Sequence, residues 1–159
     1  MKIERRFTRR GQSPYEGFTF VKRSSEIRNP DGSVVFRQEG IMVPAGWSQV
    51  ACDILAQKYF RRAGIPAALV PVAEADVPDF LWRKTAASAA LAELPDDERT
   101  RGETDARDVF DRLAGCWAYW GWKAGYFDSD VDAQAYFDEM RYMLATQVGA
   151  PNSPQWFNT

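Results

Sequence analysis

The residues of this chain best suited to chemistry lie in the run Ala150-Pro151-Asn152-Ser153-Pro154-Gln155-Trp156-Phe157-Asn158-Thr159. Two prolines favour extended backbone around Ser153, whose hydroxyl both donates and accepts, while Asn152 and Asn158 add amide groups. A rigid polar run of this kind suits the holding of a phosphate or a sugar. The same run also reads as an ordinary helix-to-strand connection. A second candidate is Cys116-Trp117-Ala118-Tyr119-Trp120-Gly121-Trp122-Lys123, where the rings offer stacking and Lys123 a phosphate contact. Helical spacing turns Trp117 and Trp120 inward with Leu113, so core packing is the favoured reading there.

Absences narrow the chemistry further. The chain has no histidine, which removes Ser-His-Asp and Cys-His nucleophiles, histidine bases and most mononuclear zinc sites together. Its two cysteines, Cys52 and Cys116, are too widely separated for a local zinc or redox motif, and both read as packed, reduced thiols. Between residues 95 and 108, Asp96, Asp97, Glu98, Glu103, Asp105 and Asp108 alternate with Arg99, Arg101 and Arg107. The arginines neutralise that cluster, so a solvated loop and helix start is expected and no metal site.

With 159 residues, 45% of them hydrophobic and 14% aromatic, the chain has the means to build one core. A net charge of −2 gives no global case for binding nucleic acid or a membrane. Residues 1–23 nevertheless form a basic arm, with Lys2, Arg5, Arg6, Arg9, Arg10, Lys22 and Arg23 against Glu4 and Glu16. The arm can meet phosphates or an acidic surface, but a solvated terminus is the expectation. No apolar run approaches a membrane span and no leader of signal type is present, so a soluble cytoplasmic protein is expected.

The elements that must position these residues follow from periodicity and punctuation. Asn29-Pro30-Asp31-Gly32 is a hairpin turn between two strands, since Pro30 presets φ and Gly32 supplies positive φ. A short extended piece follows at Ile41-Met42-Val43. Ser48 caps a helix over 48–62 with an inward stripe of Trp47, Val50, Ile54, Leu55 and Tyr59. Residues 64–80, with Pro66, Pro71 and Pro78, form an extended connection, and Ala-rich Leu81–Leu94 reads as a helix. A further helix starts at Glu103 or Thr104 and carries Val109, Phe110, Leu113, Trp117 and Trp120. The last begins near Asp128-Ser129-Asp130, runs past Met140 and Met143, and stops before Gly149 and Pro151. The Trp-rich and Met-rich faces of these two helices should pack together.

Several of these stretches together resemble one family. Arg5-Arg6-Phe7-Thr8, Gly11-Gln12-Ser13-Pro14-Tyr15, Ser25-Glu26-Ile27-Arg28-Asn29-Pro30-Asp31-Gly32, Gln57-Lys58-Tyr59-Phe60, Val109-Phe110-Asp111-Arg112-Leu113, Phe137-Asp138-Glu139-Met140-Arg141-Tyr142-Met143-Leu144 and the NSPQWFN of residues 152–158 look like the N-terminal region of bacterial adenosylcobalamin-dependent (class II) ribonucleotide reductases. The resemblance covers essentially the whole chain and is most specific at NSPQWFN, which in that family leads into the first strand of a ten-stranded α/β barrel. It implies that Ser153 contacts the ribonucleotide substrate. It also implies a reaction in which homolysis of the cobalt–carbon bond yields a cysteine thiyl radical, with a cysteine pair reducing the ribose. Neither Cys52 nor Cys116 falls at a matching position, so no catalytic residue is carried over.

The expected fold is therefore α+β and mostly helical. Residues 1–46 would be extended or hairpin, 47–149 would hold about four helices, and 150–159 would lead toward an absent barrel, all as one domain. The expected function is that of the N-terminal segment of a ribonucleoside-diphosphate reductase supporting DNA synthesis. Adenosylcobalamin would serve the intact enzyme, and the segment alone would bind no cofactor and be inactive. Its partners would be the ribonucleotide and the rest of the barrel, with no nucleic acid or membrane, and with homodimerisation of the intact enzyme left open. The other reading is a free-standing regulatory module that binds a nucleotide or protein through the basic arm and aromatic segment.

Overall fold

The computed structural model describes residues 1–159, and the first reversal is the one that Pro30 and Gly32 encode. Gly32 sits at φ +87° and its amide donates to the Asn29 carbonyl at 2.8 Å, backbone that glycine adopts without a Cβ clash. The turn joins β1 (Phe20–Arg28) to β2 (Val34–Pro44) in an antiparallel pair, with Phe20 opposite Pro44 and Arg28 opposite Val34. The hairpin is thus where the turn residues put it. Its second strand runs unbroken through Ile41-Met42-Val43, which the sequence treats as a separate piece. Ile41 and Val43 are fully buried at the base of the hairpin, while Val34 and Val35 are exposed near its tip.

Ser48 caps α1 (Gln49–Ile54) as expected, its hydroxyl accepting the Ala51 amide at 3.1 Å. The helix then widens into a π-helical turn, Leu55–Tyr59, closed by the Phe60 amide donating to the Leu55 carbonyl at 2.9 Å. It ends at Tyr59 and not near residue 62. Its inward face keeps Trp47 and Leu55 of the expected stripe but not Val50 and Ile54. Cys52, Leu55 and Ala56 are buried, whereas Val50 is 68% and Ile54 40% exposed. The apolar periodicity cannot distinguish two faces that both carry aliphatic residues, and contact with the hairpin and α3 selects the one with Cys52 and Ala56.

The largest correction falls on Leu81–Leu94. Asp79–Leu81 is one 3₁₀ turn, Lys84–Ala86 is strand β5, and only Ser88–Ala92 is helical, as α2. β5 pairs antiparallel with β4 (Leu69–Pro71), and β3 (Ile65–Pro66) pairs with β6 (Thr100–Arg101). Alanine's helical preference is a few tenths of a kcal/mol per residue, and pairing with the extended, proline-rich 64–72 segment overrides it. Trp82 donates its Nε1 to the Val77 carbonyl at 2.9 Å instead of anchoring a helix.

α3 (Ala106–Lys123) and α4 (Asp130–Thr146) are the long elements. Asp105 caps the first, accepting from the Arg107 amide at 2.9 Å, and Ser129 caps the second, accepting from Asp132. The two pack together, with Trp117 partly buried against the core that holds Leu144 of α4 and Trp122 against the cluster that holds Ala133. Ala114, Ala118 and Ala133 are fully buried, while Trp120 is 54% exposed. Small side chains let the two backbones approach along this pair. A short α5 (Ser153–Asn158) closes the chain. The main core joins Ile41, Val43, Trp47, Leu55, Phe110, Leu113, Leu144 and Trp156, and a smaller cluster gathers Val77, Leu81, Ala118 and Ala133.

The basic arm is docked, contrary to the expected solvated terminus. The Ile3 amide donates to Asp132 at 2.8 Å, and the Phe7 and Thr8 amides donate to Glu139 at 3.1 and 2.8 Å. The Thr8 hydroxyl adds a bond to Glu139 at 2.6 Å, and the Phe7 ring stacks on Tyr142 at 5.1 Å. Asp138, 3% exposed, is clamped by Arg5 Nη1 at 2.7 Å and Arg141 Nη2 at 2.6 Å. Asp132, Asp138 and Glu139 occupy one side of α4, so the acidic surface that the arm meets belongs to the same chain. No helix of the structure is long and apolar enough to cross a membrane.

Candidate functional site

Ser153 opens α5 directly after extended Asn152, so the backbone around it is helical and not the extended run that the flanking prolines suggest. Pro154 in the first turn explains this, because a proline there has no amide to lose and its φ is already helical. Ser153 is exposed, and its Oγ lies 2.8 Å from the Tyr59 hydroxyl, 94 positions away in the chain. The Tyr59 ring stacks on Trp156 with centroids 5.1 Å apart and planes 14° from parallel. Trp156, 7% exposed, donates its Nε1 to the Pro151 carbonyl at 2.9 Å, which ties the run back on itself.

One guanidinium holds these pieces together. Arg112 on α3 donates from Nη1 to the Trp156 carbonyl at 3.0 Å and the Thr159 carbonyl at 2.6 Å, and from Nη2 to the Tyr59 carbonyl at 3.3 Å. Its charge is balanced by Glu103, which it grips through Nε and Nη2 at 2.9 and 3.1 Å. Glu103 also accepts the Arg61 amide at 2.8 Å. With side-chain exposures of 12% for Arg112 and 3% for Glu103, this is a buried pair whose remaining donors and acceptors are used on backbone, the condition under which such a pair is tolerated. Glu103 is therefore not part of the solvated loop expected for residues 95–108.

The other sequence candidates have structural partners. Lys123 pairs with Glu74 at 2.9 Å and Trp122 donates to the Asp76 carbonyl at 2.6 Å. The Lys123 pKa is raised, first by its hydrogen bond to Glu74, whose own pKa is lowered by bonds from Lys123 and Tyr119. Cys52 is buried with its Sγ 3.7 Å from Arg23 Nη1, and Cys116 is half-buried. Burial raises both thiols, which disfavours the thiolate in each. A polar cleft of about 580 Å³ opens between the arm and α4, bounded by Arg5, Arg10, Gln12, Phe80, Asp138 and Arg141.

Tyr59, Glu103 and Arg112 were not singled out from the sequence. Arg112 stands three residues after buried Val109 and one before buried Leu113, so a charged residue on the inward face was the available signal. Glu103 carries no such signal, because its burial depends on the distant Arg61 backbone.

The family model of the class II vitamin B12-dependent ribonucleotide reductases matches residues 21–147, from β1 to the end of α4, and the chain belongs to that family. Among its relatives is the vitamin B12-dependent ribonucleotide reductase of Bradyrhizobium diazoefficiens, 63% identical across all of this chain and 13% of the relative. The protein of the same description from Agrobacterium fabrum is 65% identical over all of this chain and 12% of the relative. That of Streptomyces clavuligerus is 30% identical over 99% of this chain and 13% of the relative. The chain thus spans about 13% of the length of the curated relatives it matches.

These relatives are named for their dependence on vitamin B12. The present residues bring together no group of three or more Asp, Glu and Cys side chains placed to hold a metal ion, and the cleft beside α4 is lined by arginines and carboxylates with few apolar walls. That cleft does not fit a corrin ring, and no step through the cofactor is assigned to it.

Proposed function

We propose that this chain is the N-terminal, substrate-facing part of a ribonucleotide reductase, in which Ser153 contacts the ribonucleotide and the long helices brace the catalytic barrel. The observation that carries the reading is the anchoring of NSPQWFN. Its Trp156 carbonyl is taken by the Arg112 guanidinium and its Trp156 ring is buried, yet the Ser153 hydroxyl remains at the surface. A rigidly held, exposed hydroxyl supplies a directed hydrogen bond at little ordering cost. The chemistry of reduction, with its cobalamin-initiated thiyl radical and cysteine pair, belongs in this reading to the rest of the reductase. By itself the chain neither reduces nucleotides nor binds the cofactor, and a cytoplasmic setting suits two thiols that make no disulfide.

The test is Ser153→Ala in the complete reductase carrying this chain. Ribonucleotide affinity is expected to fall by about 1–2 kcal/mol, roughly five- to thirtyfold. Unchanged affinity and turnover would remove Ser153 from the site. Titrating the separate chain with adenosylcobalamin is expected to give no saturable micromolar binding.

A further inference from the structure

The Ser153 hydroxyl has two kinds of hydrogen-bonding capacity, and its surroundings select between them. A serine hydroxyl carries one donor and two acceptor sites, as does a tyrosine hydroxyl, but the phenol is the more acidic and so the stronger donor. At 2.8 Å the pair is therefore best satisfied with Tyr59 donating to Ser153 Oγ. That arrangement leaves the Ser153 O–H as the free donor. A hydroxyl oxygen that already accepts a hydrogen bond gives a more polar O–H, so the donation from Tyr59 strengthens what Ser153 can give to a third group.

Tyr59 is held for this task by contacts that do not involve the hydroxyls. Its ring lies flat on Trp156, its carbonyl is bound by Arg112, and the same guanidinium binds the Trp156 carbonyl. The preceding π-helical turn, Leu55–Tyr59, sets the direction in which the ring leaves the helix, and turns of this kind recur at functional sites.

We infer that Tyr59 is a positioning residue of the Ser153 site. It orients and polarises the Ser153 hydroxyl so that its proton points to an acceptor oxygen of the ribonucleotide, a phosphate or ribose oxygen. The inference rests on the reading of Ser153 as a substrate contact. Tyr59 itself does not touch the nucleotide.

A double-mutant cycle in the complete reductase tests this, with Tyr59→Phe, Ser153→Ala and the pair compared for KM and kcat on a ribonucleotide with saturating adenosylcobalamin. Phenylalanine keeps the stack on Trp156, and melting curves of each variant check that folding is intact. Tyr59→Phe is expected to raise KM about fivefold, the worth of one polar contact, while kcat changes far less. In the Ser153→Ala background it should add nothing, because the hydroxyl it orients is gone. A Tyr59→Phe enzyme with normal KM beside a weakened Ser153→Ala enzyme would overturn the inference and leave the Ser153 reading standing. Additive losses would also overturn it, by giving Tyr59 a contact of its own. Normal KM in Ser153→Ala would remove both.

Discussion

Arg112 and Glu103 meet side-on, Nε to Oε1 at 2.9 Å and Nη2 to Oε2 at 3.1 Å, with both side chains buried. Through this one pair α3 is tied to the end of the π turn, to the Arg61 backbone and to α5. Replacing Arg112 with Met leaves the Glu103 carboxylate buried without its cation, a loss of about 3–5 kcal/mol. The Glu103→Gln/Arg112→Met double variant should regain part of it, since no uncompensated charge remains. Urea unfolding of the four proteins measures the coupling, and strictly additive losses would contradict it.

Glu139 gives the arm a dependence on pH. Burial opposes its ionisation, but the Thr8 hydroxyl and the amides of Thr8 and Phe7 outweigh burial and hold its pKa below the ordinary carboxylate value. The unfolded chain therefore takes up the proton first as pH falls. The stabilisation is complete above the usual Glu value of about 4.3 and is lost as pH drops through the lower folded value. Glu139→Gln should cost about 1–3 kcal/mol at pH 7, and the gap from the parent should narrow toward pH 3. A gap independent of pH, read by urea unfolding at both values, would exclude this role.

Gly102 marks a close approach of two backbones. A Cβ placed there would lie 2.5 Å from the Arg62 carbonyl oxygen and 2.9 Å from its carbon. The neighbouring Glu103 amide donates to Arg61 O at 2.7 Å, so the strain of Gly102→Ala would be felt in that bond. The expected destabilisation is about 1–3 kcal/mol, measurable by thermal melting, and an unchanged melting temperature would show that the loop yields freely.

Trp47 joins the start of α1 to the end of α4 through a buried hydrogen bond from Nε1 to the Ala145 carbonyl, 2.8 Å long. Trp47→Phe keeps a ring in the core and leaves that carbonyl unpaired, at a cost of about 1–3 kcal/mol. Amide exchange over Leu144–Thr146 should rise more than exchange in the β1–β2 hairpin. Uniform acceleration would show that the loss is global.

Local grammar made much of the fold legible. The Pro30–Gly32 turn, the Ser48 cap and the Ser129 cap with its neighbouring aspartates are each written within a few residues, and each element starts where its signal stands. The failures come where a distant segment decides. Lys84–Ala86 is a strand because Leu69–Pro71 lies beside it; the helix at Ser153 is a different case, a local signal read the other way, since Pro154 fits a helix's first turn as well as extended backbone. For the candidate site the sequence supplied Ser153 through resemblance. Its anchors, Arg112 and Glu103, were hidden because a charged residue's burial depends on partners that no local pattern announces. The acidic side of α4 was missed for the same reason, since Asp138 and Glu139 are buried under an arm whose Phe7 lies 132 positions from Glu139 in the chain.

The π-helical turn at Leu55–Tyr59 makes the chain one residue longer there than an α-helix covering the same distance. Deleting one residue within it would let the segment close to a plain α turn and leave the elements on either side in place. In the middle of α3 or α4, where no wide turn absorbs the loss, the same deletion would swing every later side chain by about 100° about the helix axis. The stretch between Leu55 and Lys58 is therefore expected to tolerate a single-codon deletion better than the long helices do.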